Sequence, residues 1–388
     1  MSDRRIPLSV PCLGGNEAKY LQDAIESTWV SSEGPYVVRF ERSVADWVGA
    51  PHAVATVNGT AALHIGVLVA GVQPGDEVLV PALTFVATAN AVTYCGAHPV
   101  FLDVEDATWG MDPAKLRDFL EEECAPSAGG PVNRRTGRPV RAVLPVHLLG
   151  HPADMDPILE LARRYGLAVV EDACEALGSL YKGRPAGRLG QVGCFSFNGN
   201  KVVTAGGGGM VVTEGEALAD RARHLTRQAR LPGAEYSHDA VGFNYRLTNL
   251  CAAVGLAQME QLPEFLDRKR KLTARYRAAF AGVPGLACPP SAAWASPMTW
   301  LFTVLVERGG LDPAPRLVDH LAARGIEARR LFRPLTLLPI YADAQAYRVE
   351  TTPTLHARAV SLPSSVNLAI EDQDAVIAAV LEWVERAR

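Results

Sequence analysis

The chain has 388 residues, 48% hydrophobic and 21% charged, with a formal net charge of -4 and a pI near 6.2. That balance gives no electrostatic case for binding nucleic acid or an anionic membrane surface. The length implies two domains, or one large domain with an appendage.

No apolar run approaches the roughly 20 residues needed to span a bilayer. The start, Met1 to Pro11, has two arginines but no apolar core like that of a signal peptide, so a cytoplasmic protein is expected. The seven cysteines are scattered, with no C-x-x-C pair, and read as small buried residues rather than a zinc site or a disulfide framework.

In chain order, residues 17–30 read as an amphipathic helix and Phe40 to Val48 as another. A rhythm then begins. Strands are expected at Ala53 to Val57, Glu77 to Pro81, Pro99 to Val104, Val140 to Val146 and Leu167 to Glu171. Between them lie helices at Ala61 to Ala70, Thr84 to Cys95, Pro113 to Glu123 and Asp154 to Tyr165. Such alternation predicts an α/β fold with a mostly parallel sheet between helices. Residues 125–139, rich in Gly, Pro and Arg, read as an exposed loop or arm.

After residue 190 the rhythm changes. Val192 to Phe197 and Gly209 to Thr213 are strand-like, and helices are expected at Glu216 to Gln228, Asn249 to Gln261 and Pro263 to Phe280. The remainder reads as a strand (Trp300 to Val306), a helix (Pro315 to Arg324), a Pro-rich loop (Arg333 to Tyr341) and a final helix (Asp372 to Ala387). The expected division is a large domain over 1–262 and a smaller C-terminal α/β domain over 263–388.

Three local features carry chemistry. Lys201 follows Cys194-Phe195-Ser196-Phe197-Asn198-Gly199-Asn200 and precedes the run Gly206 to Gly209, with no other cation within several residues. A lysine partly removed from water has a lowered pKa and can act as a free amine, as Schiff-base chemistry requires. Asn58-Gly59-Thr60 follows a strand and opens a helix, where a phosphate can sit on free N–H groups; a plain helix cap is the alternative. Asp172 ends the apolar run Leu167 to Val170, at the strand edge where open α/β sheets bind ligands. It could equally cap the next helix, and Glu171 or Glu175 could be the functional carboxylate instead.

The glycine run is not a nucleotide loop, since the order G-x-x-x-x-G-K-[ST] is absent. No G-x-G-x-x-G opens a helix after an early strand, which disfavours a dinucleotide dehydrogenase. A phosphate cradle, a strand-end aspartate and an isolated lysine, in that order, are what pyridoxal phosphate needs.

These motifs resemble the pyridoxal-phosphate sugar aminotransferases of the DegT or StrS family, within the fold-type-I superfamily. The likeness covers nearly the whole chain, in SSEGPYVVRF (31–40), NGTAALHI (58–65), PALTFV (81–86), VHLLGHPADMD (146–156), EDACEALGS (171–179), residues 194–210 and GFNYRLTNLCAAVGLAQ (242–258). The resemblance implies a large domain with a mostly parallel seven-stranded sheet. By it, Lys201 forms the internal aldimine and shuttles the proton, and Asp172 pairs with the pyridine nitrogen. Glu175 lies beside the ring's O3′ and Phe85 stacks on the ring. Gly59, Thr60 and Ser196 hold the phosphate. Asn244, supplied by the partner subunit of an obligate homodimer, completes the site.

Asn198-Gly199-Asn200 and the loop Asn133 to Arg138 resemble the branch acting on UDP-linked 4-keto-6-deoxy-2-acetamido sugars. The implied reaction moves an amino group from L-glutamate to the keto carbon, C4, of a nucleotide-linked deoxy sugar. Alternatives are a keto-inositol or aminohydroxybenzoate-type substrate, or a regulatory family member without turnover. Thr336 stands where many relatives have a histidine. Arg184, Arg230, Arg329 and Arg330 read as surface charges unless the fold groups them against a diphosphate.

Overall fold

The structure is a computed structural model that describes residues 5–233 and 235–387; Met1 to Arg4, the first residues of the N-terminal stretch, lie outside them. Seven strands in chain order are β1 (His52–Thr56), β2 (Glu77–Pro81), β3 (His98–Leu102), β4 (Val140–Val143), β5 (Ala168–Asp172), β6 (Val192–Ser196) and β7 (Gly209–Thr213). Five shorter or later ones follow: β8 (Leu286–Ala287), β9 (Thr303–Val306), β10 (Arg329–Arg330), β11 (Ala346–Tyr347) and β12 (Ala359–Ser361).

The large sheet has eight strands in the order β1-β7-β6-β5-β4-β2-β3-β11. One more strand is present than the seven expected, because Ala346–Tyr347 pairs in parallel with Phe101 and Leu102 at the edge. Only β7 runs against its neighbours. β2, β5 and β7 are buried along their whole length. Helices on both faces leave such strands no solvated side, so they read as apolar runs rather than alternating ones.

The helices bearing on the site are α1 (Glu17–Glu26), α2 (Pro35–Val48), α3 (Gly59–Val69), α4 (Ala87–Tyr94), α5 (Pro113–Asp118), α6 (Met155–Tyr165), α7 (Glu216–Thr226), α8 (Asn249–Glu260) and α9 (Leu262–Phe280). α2 begins five residues earlier than its apolar pattern suggests (Pro35 rather than Phe40). Pro35 occupies the first turn, where its missing N–H is harmless, and the Tyr36 N–H donates to Asn249 Oδ1 at 2.9 Å. α1 stops at Glu26, short of residue 30, and Thr28 adopts a left-handed φ of 64°. The last turn of the expected 113–123 helix widens into a π-turn over Phe119–Glu123.

A second core gathers Tyr276, Phe280, Phe302, Val304, Val380 and Trp383. Its four-stranded sheet runs β8-β9-β12-β10, covered by α9, α10 (Ala314–Ala322) and α12 (Ile370–Arg386). Strand β12 and helix α11 (Thr351–Arg358), neither expected from the sequence, supply an inner strand and a flanking helix. Segments cross between the cores. Ile6 pairs with Ile326 and is buried in the second core, while β11 joins the large sheet. We propose the domain division near Leu262, where α9 begins, with Ile6 and β11 exchanged across it.

The 125–139 stretch departs from the exposed arm expected of it. Cys124–Ala125 and Val132–Asn133 form a short antiparallel ribbon. Asn133 is fully buried, donating to Glu77 Oε2 at 2.7 Å and Gln345 Oε1 at 2.8 Å. Glu77 also accepts from Thr136 at 2.6 Å. A buried carboxylate needs such donors, so the loop is fastened down by the acid that opens β2.

Candidate active site

Four local structures meet at the carboxyl edge of the large sheet. The first is the N-terminus of α3. Asn58 adopts an extended conformation and its side chain accepts from the Ala61 N–H at 2.8 Å, as an N-cap does. The N–H groups of Gly59 and Thr60 have no acceptor among the described residues. A Cβ on Gly59 would meet Ser196 Cβ at 2.7 Å, Ser196 Oγ at 2.9 Å and Cys174 Sγ at 3.2 Å. Only glycine lets the strand β6 end and the helix start close into one concavity. Free N–H groups at a positive dipole end, with the Thr60 and Ser196 hydroxyls beside them, are a donor set suited to a phosphate.

The second is the end of β5. Successive residues of a strand face opposite ways, and the two neighbouring acids part accordingly. Glu171 turns away from the cavity. Its Oε2 accepts from Gly187 N and His147 Nε2, both at 2.8 Å, and its Oε1 from Leu189 N and Gly190 N, both at 2.5 Å. Ala153 N–H donates to His147 Nδ1 at 3.1 Å, which leaves Nε2 as the donor to the carboxylate. Glu171 therefore ties down the 187–190 loop and is not a ligand group.

Asp172 faces the cavity. Its Oδ2 accepts from Thr88 Oγ1 at 2.7 Å and its Oδ1 from Cys174 N at 3.1 Å. Thr88 has one hydroxyl proton and gives it to the carboxylate, so Thr84, 3.0 Å away, donates to Thr88. This relay fixes the carboxylate's orientation from the first turn of α4.

The third is Glu175, in the turn after β5. Its Oε2 accepts from Leu149 N at 2.8 Å, and its Oε1 lies 3.5 Å from Lys201 Nζ. Burial raises the Glu175 pKa, with the Lys201 charge pulling it back and Asp172 adding to the rise. The fourth is the loop between β6 and β7. Lys201 sits on a turn closed by its own N–H to Asn198 O at 3.0 Å. Its side chain is only 12% exposed, and its Nζ lies 3.7 Å from the centre of the Trp300 ring. Trp300 Nε1 donates to Asn200 O at 2.7 Å, locking indole to loop.

Gly59, Thr60, Phe85, Asp172, Glu175, Ser196 and Lys201 all line one cavity of about 320 Å³. Asn244 does not. It lies exposed beside Arg227, outside its own chain's cavity. Phe85, 55% exposed, stands at the rim with its ring 5.8 Å from Phe332. Of the four arginines considered for an anionic substrate, only Arg329 reaches the cavity. Arg184 pairs with Asp156, Arg330 with Asp312, and Arg230 covers the Tyr236 ring. Sequence reasoning missed Trp300, Thr88 and Phe332. Trp300 and Phe332 carry no local signal, being about a hundred residues from Lys201. Thr88 could have been found, since it stands four residues after Thr84 in the helix expected over Thr84 to Cys95.

Cys174 lines the cavity, but not as a reactive thiolate. Burial pushes the Cys174 and Cys194 thiols well above their ordinary range, away from nucleophilic thiolate. Among the described residues no group of His, Cys, Asp and Glu is placed to hold a metal ion.

A half-buried lysine, a hydroxyl-held aspartate at a strand end and a glycine-closed cluster of free N–H groups on this sheet match a pyridoxal-phosphate-dependent aminotransferase of fold type I. The DegT/DnrJ/EryC1/StrS aminotransferase family model matches residues 11–381, and the chain belongs to that family. It is 40% identical over 382 residues to a GDP-perosamine synthase of Caulobacter vibrioides, covering 98% of this chain and 99% of that one. A GDP-perosamine synthase of Escherichia coli O157:H7 is 37% identical over 366 residues, covering 94% and 95%. Among solved structures, DesV of S. venezuelae in complex with a ketimine intermediate superposes with a TM-score of 0.85 at 33% identity, over 98% of this chain and 100% of that one.

Proposed function

We propose that this aminotransferase moves an amino group from L-glutamate to the C4 keto carbon of a nucleotide-linked deoxy sugar. The observation that carries the reading is the convergence of Lys201, Asp172 and the Gly59-Thr60 cradle on one cavity with a cation, Arg329, at its mouth. Relatives named for GDP-perosamine favour a GDP-linked acceptor over the UDP-linked one suggested by Asn198-Gly199-Asn200 and the 133–138 loop.

Pyridoxal phosphate, when bound, supplies the aldehyde and the electron-withdrawing ring. This chain's residues do the rest. Gly59, Thr60 and Ser196 hold the phosphate. Asp172, kept in place by Thr88, holds a proton on the ring nitrogen. Lys201 is the amine that would attach the aldehyde and, once released, would carry the proton between the substrate's amine-bearing carbon and the cofactor. Glu175 sits between Lys201 and the Leu149 N–H, where it orients the amine. Phe85 and Phe332 shape the mouth. Arg329 has no ion-pair partner among the described residues, which suits it to a substrate carboxylate or diphosphate.

The enzyme works as a homodimer in this reading. Asn244 is exposed outside its own cavity, and Trp29, Val30, Tyr236 and Val241 are exposed apolar residues, as a shared subunit interface requires. We assign it to the cytoplasm; no helix among the described residues is long and apolar enough to cross a membrane.

The test supplies L-glutamate with GDP-, UDP- and dTDP-linked 4-keto-6-deoxy sugars and measures aminated sugar nucleotide. Product from the GDP substrate supports the reading. A keto-inositol outperforming every sugar nucleotide overturns it. Lys201→Ala should lose the borohydride-reducible visible band and all turnover; retention of turnover would displace Lys201 as the nucleophile.

A further inference from the structure

Lys269 lies on α9 and is buried, with 3% of its surface exposed. It forms no salt bridge among the described residues. Its Nζ donates instead to two main-chain carbonyls, Trp300 O at 2.7 Å and Ser364 O at 2.6 Å. Burying an ammonium without a carboxylate costs several kcal/mol after relaxation. Something must come from placing it there, and the two acceptors say what.

Trp300 is the residue whose ring covers Lys201 Nζ. It is held at three points. Its N–H donates to Leu149 O at 2.8 Å, its Nε1 to Asn200 O at 2.7 Å, and its carbonyl accepts, among the described residues, only from Lys269. Leu149 in turn gives its own N–H to Glu175. The second acceptor, Ser364, also anchors this wall. Its Oγ accepts from the Phe302 N–H at 2.9 Å and its N–H donates to Leu8 O at 2.8 Å. Lys269 thus joins the segment bearing Trp300 to the chain just past β12 and, through Ser364, to Leu8 near the N-terminus.

We propose that Lys269 is a positioning residue for transamination: by holding the Trp300 carbonyl it keeps the indole over the Lys201 amine. This rests on Lys201 being the nucleophilic amine. Burial also pulls the Lys269 pKa down to about 7. The carbonyl bonds work against that pull, and the amine keeps two N–H donors in either protonation state, so the clamp does not need the charge.

The test compares the holoenzyme with Lys269→Met, Trp300→Phe and the double variant. Three quantities are read: the pH midpoint of the cofactor's visible absorption, kcat and KM for L-glutamate, and the thermal midpoint. Lys269→Met should shift the absorption midpoint and lower kcat roughly 10- to 100-fold, the scale of a misplacement of about 1 Å, with KM within about twofold. The double variant should be no worse than the worse single variant, because both changes act through one ring. If Lys269→Met does not fold, Lys269→Gln retains two N–H donors and should keep the wild-type absorption midpoint. A lowered thermal midpoint with unchanged absorption and kcat overturns the proposal, as do independent, multiplicative losses in the double variant. Failure of the Lys201 reading is seen separately, in wild-type protein that shows no borohydride-reducible band.

Discussion

Glu171 and Asp172 are neighbours on β5, and converting each to its amide should damage different properties. In Glu171→Gln one carboxylate oxygen becomes an NH2. Oε1 serves Leu189 N and Gly190 N, and Oε2 serves Gly187 N and His147 Nε2. Whichever way the amide turns, two donors face a donor, buried on the Oε2 side and part-buried on the Oε1 side. Each stranded group costs about 1–3 kcal/mol, so the variant should lose roughly 2–6 kcal/mol. That is a large share of the roughly 5–15 kcal/mol that holds a typical domain. Asp172→Asn keeps an oxygen for Thr88 or Cys174 and should cost about 1 kcal/mol. In the proposed mechanism it removes the charge that would face the ring nitrogen, and it should lower kcat by on the order of 100-fold or more. Urea unfolding followed by circular dichroism, beside turnover at saturating cofactor, separates the two. A Glu171→Gln protein that unfolds at the wild-type midpoint yet is inactive, paired with an active Asp172→Asn, would refute the assignment of faces.

Gly59→Ala should weaken cofactor binding, measured by titrating apoprotein with pyridoxal phosphate, because its Cβ would sit 2.7 Å from Ser196 Cβ. Asp103 is buried, which alone would raise its pKa, but Lys115, the N–H groups of Glu350 and Thr351 and the Thr352 side chain hold it down to about 2. A depressed carboxylate contributes stability above its unfolded pKa. About 2 kcal/mol should therefore vanish as pH falls from about 4 to about 2, and Asp103→Asn should flatten that part of the acid denaturation curve. Lys269 gives a slope of the same sign in a higher pH window. With a folded pKa near 7 against an ordinary 10.5, the unfolded chain binds more protons between those values, so stability rises with pH across that window. Between pH 7 and 9 the difference from Lys269→Met should change by about 2 kcal/mol or less, the carbonyl bonds reducing it. An unchanged difference in denaturant midpoint would show that Lys269 does not titrate there.

Local physics made much of this protein legible before any contact was known. The alternation of strands and helices, the Asn58-Gly59-Thr60 helix start, the strand-end acid and the solitary lysine each depend on a few adjacent residues. Those signals survive without tertiary context because caps, turns and strand ends are short-range structures. The short strands were not legible. Ala346–Tyr347 and Arg329–Arg330 are too brief for periodicity and exist because a neighbouring edge accepts them. Residues 125–139 look like an arm by composition, and only the buried Glu77 carboxylate reveals why they fold down.

By itself, then, the sequence determined which residue types stand at the sheet's carboxyl edge and in what order, which was enough to imply the cofactor. Tertiary structure decided which acid faces the cavity. A strand's alternation separates Glu171 from Asp172, but packing on each face chooses the side that meets Thr88 and the side that meets the 187–190 loop. It also decided that Trp300 covers Lys201, that Lys269 holds Trp300, and that Arg329 rather than Arg184 or Arg330 reaches the mouth. These are contacts across long stretches of chain, set by how the two cores dock, and no local pattern encodes them.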